Sequence, residues 1–363
     1  MSVPTAAVDD FPELVGKAPI PRSSLWEYVQ ASGLRSLVVG TSKNPNAKIT
    51  VLLVSPETRR PVVAVKVPTT HAAAKAVEAE GGMLIDLRNL GPELTETIPR
   101  VVDVVEFEGR PGIVMTAMQG TPMSTLYLRW RHTARPRRVA AHFAAVETWL
   151  AELHRRTAGE IGPLDMDGGV VSVLSRRFPE SERVVEDGER LAEIYMRLRR
   201  NSVPRTAVHG DLWSANVLLT GGRVSGVVDW EAGVVFGEPV RDLVRFALMY
   251  ALFLDRRTRP GRRVAGHPGL RAGDWGAGVA YALDGTGWFP DLFRRFLRDG
   301  LARLGAAPES WRDATVAGIA EVAAFADHDE FARLHLDLFR RVAPERQAAH
   351  TDAAPAGLAG RRS

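Results

Sequence analysis

The sequence contains no cysteine. Disulfides, thiolate metal sites and cysteine nucleophiles are thereby excluded. It also has no uninterrupted apolar run of the roughly 18 residues needed to span a bilayer. The first 20 residues lack the basic start and apolar stretch of a secretory signal, so the chain is expected to stay in the cytoplasm. Strong charge of either sign is missing too: 47 basic against 43 acidic residues leave a formal net charge of +4. An excess that small is weak ground for a polyanionic partner, and neither nucleic acid nor membrane is expected to bind. The basic runs at Arg135, Arg137, Arg138 and at Arg197, Arg199, Arg200 read as solvated faces. No internal repeat is visible.

What is present is an ordinary globular composition, 45% hydrophobic and 25% charged over 363 residues. That length suits two packed domains or two lobes sharing a cleft. Residues 1–21 read as a loose arm rich in Pro, Ala and acids. Ser23 or Ser24 is placed to cap a short helix through Trp26, Tyr28 and Val29. Strand-like runs follow at 34–39, 48–54 and 62–67, then a helix over 71–89. Two further strands at 100–105 and 112–118 flank a turn at Glu108-Gly109. The pattern to residue 120 is an antiparallel sheet with one helix.

After Gly120 the texture becomes helical. The spacing of Phe143, Val146, Trp149, Leu150 and Leu153 predicts a helix over 135–157. A second helix is expected over 181–200, a hairpin around Gly221-Gly222, and mainly helices from 239 onward. The fold class expected is α+β and two-lobed. An N-terminal lobe covers 22–120, a helical C-terminal lobe 121–343, and the remainder, 344–363, reads as a disordered tail.

The residues that carry chemistry begin at His209-Gly-Asp211-Leu-Trp-Ser-Ala-Asn216. Phosphoryl transfer needs a carboxylate to orient the attacking hydroxyl and oxygen ligands to hold magnesium. An Asp with an Asn five residues on is the established spacing of kinase catalytic loops and is matched here; a simple turn is the bland alternative. The second signal is Asp229, which ends the apolar run Val227-Val228 and lies 13 residues after Asn216. An acid at a strand end suits a hard cation, or a cap. A hairpin between them would bring the two together. The third is Lys66, in the middle of the apolar strand at 62–67. It either snorkels to solvent or reaches phosphates. Glu80 shares a helix face with Val77 and Leu84, whereas Glu78 does not. A carboxylate on an apolar stripe calls for a partner, and Lys66 is the candidate. Gly81-Gly82 threatens this register, since each glycine costs a helix roughly 1 kcal/mol.

These residues resemble the aminoglycoside phosphotransferase and choline kinase-like family, small-molecule enzymes of the protein-kinase-like fold. The resemblance spans roughly 34–340 and rests on Lys66, Glu80, His209-Gly-Asp211 with Asn216, and Asp229, in that order. Val114 to Pro122 is similar to the family's hinge and Gly-x-Pro turn, Trp149 to His154 to the helix before the catalytic loop, and Gly237 to Leu243 to the helix start after the metal acid.

The resemblance implies Asp211 as base and Asn216 and Asp229 as magnesium ligands. Lys66 would contact the α and β phosphates and be held by Glu80. Backbone groups of Thr116, Ala117 and Met118 would meet the purine. The loop 40–46, with Thr41 and Ser42, would cover the phosphates without any Gly-x-Gly-x-x-Gly. Asp242 is expected as a helix cap. His-Gly-Asp and Asp-Trp-Glu stand where protein kinases carry His-Arg-Asp and Asp-Phe-Gly, which points away from a protein substrate.

The function expected is transfer of the γ-phosphoryl of ATP or GTP to a hydroxyl of a small metabolite or antibiotic, with Mg²⁺. The alternatives are a silent nucleotide-binding scaffold, or a nucleotidyl or protein kinase-type transferase. Glu231 would touch the acceptor or face water. Asp327, Asp329, Glu330 and Asp337 would form an acidic rim for a cationic acceptor, or an ordinary solvated helix face.

Overall fold

The structure is a computed structural model in which residues 23–41 and 47–343 are described. The chain opens with a two-residue strand β1 (Ser23–Ser24) and helix α1 (Leu25–Ser32). Ser24 Oγ accepts from Glu27 N at 3.3 Å, and the Glu27 carboxylate accepts from Ser24 N at 2.8 Å. This reciprocal capping box is what starts α1. Strands β2 (Arg35–Thr41), β3 (Lys48–Val54) and β4 (Pro61–Pro68) follow. Helix α2 (His71–Asp86) is capped by Thr70 Oγ1, which accepts from Ala73 N at 3.1 Å. It runs unbroken through Gly81-Gly82 and ends in a 3₁₀ turn at Leu87–Asn89, where a continuous helix was expected. A short α3 (Pro92–Thr95) leads to β5 (Val101–Phe107) and β6 (Arg110–Thr116).

The six strands form one sheet in the order β1-β5-β6-β4-β3-β2, antiparallel except for the β1–β5 pair. Strand alternation divides its residues between two faces. Val51, Leu53, Val65, Val67, Val105 and Val114 pack with Leu25 of α1 in a small core of their own. Ile113 and Met115 point the other way, against Val77 and Leu84 of α2 and the main core. A Cβ on Gly81 would sit 3.2 Å from Ile113 Cγ2. The helix therefore approaches β6 at this residue as closely as a glycine allows, and tertiary packing overrides its poor helix propensity.

Beyond β6 the chain makes β7 (Thr121–Pro122), α4 (Met123–Tyr127) and the long α5 (Pro136–Thr157). Strand β8 (Ile161–Pro163), helices α6 (Val170–Arg177) and α7 (Val184–Leu198), and strand β9 (Ser202–Pro204) come next. Four short strands, β10 (Thr206–Val208), β11 (Val217–Thr220), β12 (Arg223–Val227) and β13 (Val234–Gly237), carry the functional loops. Helices α8 (Val240–Leu252), α9 (Ala277–Asp284), α10 (Trp288–Arg303), α11 (Trp311–Phe325) and α12 (Asp329–Val342) complete the fold. The architecture is α+β, with a sheet-rich N-terminal region and a helical C-terminal region. Phe143 of α5 lies at its centre, with ring centroids of Phe246 and Phe296 both 5.2 Å away. No helix among the described residues is long and apolar enough to cross a membrane.

Candidate active site

The segment His209 to Asn216 lies between two pieces of sheet. Strand β10 delivers His209, and the hairpin β11–β12 closes the far side. Gly221 and Gly222, both at positive φ, form its turn. The hairpin pairs Val217 with Val227, and Val228 N donates to Asn216 O at 3.0 Å. Asn216 therefore lies opposite the residue before Asp229, as the sequence spacing required. β11 also pairs with β7, joining the hairpin to the chain just after β6.

His209 is fully buried. Its Nδ1 accepts from Asp211 N at 3.2 Å, so its Nε2 carries the proton and donates to Val228 O at 2.8 Å. One imidazole thus ties the Asp211 loop to the Asp229 strand. Gly210 sits at φ +81, and a Cβ there would lie 2.2 Å from Ala232 O. Only glycine fits both the left-handed backbone and the close approach. Asp242 holds this loop from beneath: its Oδ2 accepts from His209 N at 2.6 Å and its Oδ1 from Gly210 N at 2.9 Å. Burial pushes its carboxyl pKa up, against these two N–H groups and the nearby His209. The expectation of a helix cap is corrected here. Asp242 lies inside the first turn of α8, whose N-cap is Pro239, and it serves another segment's backbone.

Lys66 and Glu80 meet. The ammonium donates to Glu80 Oε1 at 2.6 Å and Oε2 at 2.7 Å, with Glu80 fully buried and Lys66 5% exposed. Glu78 is exposed, so the helix register read from the apolar stripe holds. Lys66 also donates to Asp229 Oδ1, and Glu80 Oε1 accepts from Trp230 N at 3.3 Å. Burial alone would push the Lys66 ammonium pKa down, but Glu80 and Asp229 together hold it above the usual lysine value. Asp229 shows the converse: burial opposes its ionisation, but Lys66, helped by Lys48 and His209, keeps it below the usual carboxylate range. Asp229 stands at φ +66, a left-handed conformation uncommon outside glycine. Its carboxylate meets the lysine, with 41% of the side chain exposed.

Asp211 has one oxygen firmly bonded and the other only loosely approached. Arg245 Nε and Nη2 donate to its Oδ1 at 3.0 and 2.6 Å, and Asn216 Nδ2 lies 3.4 Å from its Oδ2. Asn216 Nδ2 also donates to Asp211 O at 2.9 Å. With its amide NH₂ turned to Asp211, Asn216 presents Oδ1 on the other side. The donor set of Asn216 Oδ1 and the Asp229 carboxylate is made of hard oxygens, which fits Mg²⁺. No group of three or more His, Asp or Glu able to hold a metal ion occurs among the described residues. A cation here would therefore complete its shell with water or with oxygens of a bound phosphate, as Mg²⁺ commonly does.

Other expected residues fall differently. Glu231 is partly exposed, and Lys48 of β3 donates to its Oε2. Thr116 N donates to Arg100 O and Ala117 N to Val62 O, both at 2.9 Å. Those two amides are therefore engaged within the protein. The Thr41 side chain and Ser42 lie outside the described residues. Of the acids considered for a rim or a solvated face, Asp329 pairs with Arg177 at 2.7 Å and Asp337 with Arg340 at 3.7 Å. Sequence reasoning missed Lys48 and Arg245. Lys48 was legible in principle, since it stands two residues before Thr50, the partner of Lys66 across the β3–β4 ladder, and so shares its face. Arg245 lies one helical turn after Asp242.

A family model described as the phosphotransferase enzyme family matches residues 50–312, which include Lys66, Glu80, Asp211, Asn216, Asp229 and Arg245. The chain belongs to this family. Among curated relatives, the phosphotransferase chain is similar to the homoserine kinase of Pseudomonas aeruginosa, 30% identical over 130 residues. That alignment covers 34% of this chain and 37% of the relative, well under half of either. Among solved structures, it is similar to a thermostable mutant of aminoglycoside phosphotransferase APH(4)-Ia in its apo form. The TM-score is 0.52 at 15% identity, over 86% of this chain and 96% of that one. A variant of the same enzyme in a ternary complex with AMP-PNP and hygromycin B also has a TM-score of 0.52 at 15% identity, over 86% and 94%. At such low identity these likenesses establish a common fold.

Proposed function

We propose that this phosphotransferase moves the γ-phosphoryl group of ATP, or of GTP, to a hydroxyl of a small molecule. The observation that carries the reading is the convergence on one cleft of a buried Lys66–Glu80 pair, the Asp229 carboxylate beside it, and Asp211 with Asn216 across the hairpin. Lys66, held by Glu80, offers a fixed positive charge to the phosphates. The half-exposed Val62 and Ala64 share its strand face and would flank the base, with the Met118 N–H as donor at the hinge. Mg²⁺ held by Asn216 and Asp229 would neutralise phosphate charge as it builds up.

Asp211 orients the acceptor hydroxyl and takes its proton. The hydroxyl oxygen then bonds to the γ-phosphorus as the bond to the bridging β–γ oxygen breaks, and the nucleoside diphosphate leaves. A hydroxyl acceptor agrees with the names of the homoserine kinase and of the aminoglycoside phosphotransferase crystallised with hygromycin B. On this reading the lobes span 22–120 and 121–343, with the cleft between them. A cytoplasmic location, where nucleoside triphosphates are abundant, completes the reading.

The test is a metabolite and antibiotic screen for release of ADP or GDP, run with γ-labelled and α-labelled ATP. Transfer of the γ-label to a small acceptor is expected, with Asp211→Ala lowering turnover by about 10²–10⁴-fold, the usual worth of a positioned base. Transfer of the α-label, or an Asp211→Ala enzyme within about threefold of the parent, would sink the proposal.

A further inference from the structure

Helix α8 grips the catalytic loop twice. Asp242 accepts the backbone N–H groups of His209 and Gly210. One turn later on the same face, Arg245 aims two N–H groups at a single oxygen, Oδ1 of Asp211, at 3.0 and 2.6 Å. Among the described residues, the other oxygen, Oδ2, meets only the Asn216 amide at 3.4 Å, beyond the usual range for an N–H···O bond. The carboxylate is therefore fixed in rotation as well as in place. Oδ1 is consumed by the guanidinium, and Oδ2 keeps a lone pair on the side of Asn216. We propose that Arg245 is a positioning residue for phosphoryl transfer, locking the Asp211 carboxylate so that Oδ2 is the oxygen presented to the acceptor hydroxyl.

The inference rests on the phosphotransfer reading above. The surroundings favour a dedicated contact over a casual surface pair. Arg245 and Asp211 side chains are 25% and 35% exposed. Glu321 of α11, the other carboxylate whose charge Arg245 meets, is bonded by Arg241 at 2.8 Å and does not draw Arg245 away. The fork also needs arginine. A guanidinium can set two N–H groups on one oxygen and fix the plane of the carboxylate, whereas a lysine ammonium is a rotatable point charge. Loss of about 1 Å in the placement of a reacting group is enough to slow a reaction by about 10²-fold. The contribution to stability is small by comparison, because an ion pair this open to solvent is worth little.

The experiment measures ADP release from Mg·ATP, with the best acceptor of the screen and with water alone, for the parent, Arg245→Met, Arg245→Lys, Asp211→Ala and the Arg245→Met/Asp211→Ala double variant. Folding is checked by circular dichroism and ATP affinity by calorimetry. Arg245→Met is expected to bind ATP within about twofold of the parent and to lose about 10–100-fold in kcat, with KM for the acceptor changing far less. Arg245→Lys should recover part of the loss. The double variant should be no slower than Asp211→Ala, because two residues acting as one unit are not additive.

Arg245→Met with kcat within about threefold of the parent overturns the proposal, as do additive losses in the double variant. A loss confined to KM for the acceptor would make Arg245 a binding group and equally overturn it. Should Arg245→Met fold poorly, Arg245→Lys decides the question: full parental kcat in that variant refutes the need for the fork. If Asp211→Ala itself leaves turnover intact, the phosphotransfer role of Asp211 fails first and the proposal falls with it.

Discussion

Replacing Lys66 by methionine should damage this protein more than replacing its partner Glu80, and replacing both should partly repair the damage. The site holds one cation between two anions: Lys66 meets Glu80 on one side and Asp229 on the other. Lys66→Met leaves the Glu80 carboxylate fully buried with no cation, and an uncompensated buried charge costs about 3–5 kcal/mol. Glu80→Gln is milder. The neutral amide oxygen still accepts from Lys66 and from Trp230 N, and Asp229 still balances the ammonium. Loss of a charged hydrogen bond then costs about 1.5–3 kcal/mol. In the double variant Lys66→Met/Glu80→Gln the fully buried carboxylate is gone, and only the partly exposed Asp229, still near Lys48, lacks its lysine, so stability should rise above that of Lys66→Met by about 1–2 kcal/mol. Glu78→Gln, at an exposed position on the same helix, should change stability by about 0–1 kcal/mol.

Kinetics should rank these variants differently. Lys66→Met and the double variant should be equally slow, because both lack the charge proposed to face the phosphates. Glu80→Gln should weaken binding of Mg·ATP, because an unrestrained Lys66 then competes for Asp229. Urea unfolding of the four variants, with steady-state assays on the same preparations, reads both orders. If the double variant is less stable than Lys66→Met by the full cost of Glu80→Gln, the two residues do not act as a charge pair. The reasoning from burial is then wrong.

Titration of ATP with and without EDTA should show magnesium-dependent affinity in the parent and not in Asp229→Ala; equal affinity in all four conditions would remove Asp229 and Asn216 as ligands. Gly210→Ala combines a left-handed φ with a Cβ 2.2 Å from Ala232 O, so it should lose activity and at least about 1–2 kcal/mol of stability. A fully active Gly210→Ala enzyme would mean the loop rearranges freely. Acid should destabilise the fold through its buried histidines. Burial pushes His142 and His335 down to about 4, and His132 to about 4 with help from Arg138, Arg135 and Arg129. A lowered folded value means the unfolded chain binds protons more readily, so the stability from each histidine is complete above about pH 6.5 and is lost as pH falls toward 4. His142 stacks on His132 at 4.5 Å and its Nδ1 lies 3.2 Å from the Tyr250 hydroxyl. In urea unfolding, His142→Phe should lose less stability than the parent between pH 7 and pH 4.5, by up to about 3 kcal/mol; an identical loss would exclude His142 from the acid response.

Much of the candidate site was written in local pattern. Period-two alternation put Lys66 on a face with Ala64, the apolar stripe of α2 separated Glu80 from Glu78, and the Gly221-Gly222 turn dictated that Asn216 and Asp229 come together. Each of these is a consequence of helix or strand geometry over a few residues, which the chain carries wherever it is placed. The sequence could also show that Gly81-Gly82 was a weak point, but not that the helix survives it. That was decided by the close packing of Gly81 on Ile113, a contact 32 positions away in the chain. Only the tertiary structure joined Lys48 to Glu231, turned Asp242 from its own helix to the backbone of His209 and Gly210, and set Arg245 on Asp211. Those contacts link segments 32 to 183 residues apart. Local periodicity tells which face of an element a side chain occupies. The neighbour that meets that face is chosen by how the elements pack, and a buried charge then binds whatever complementary group the packing brings within reach.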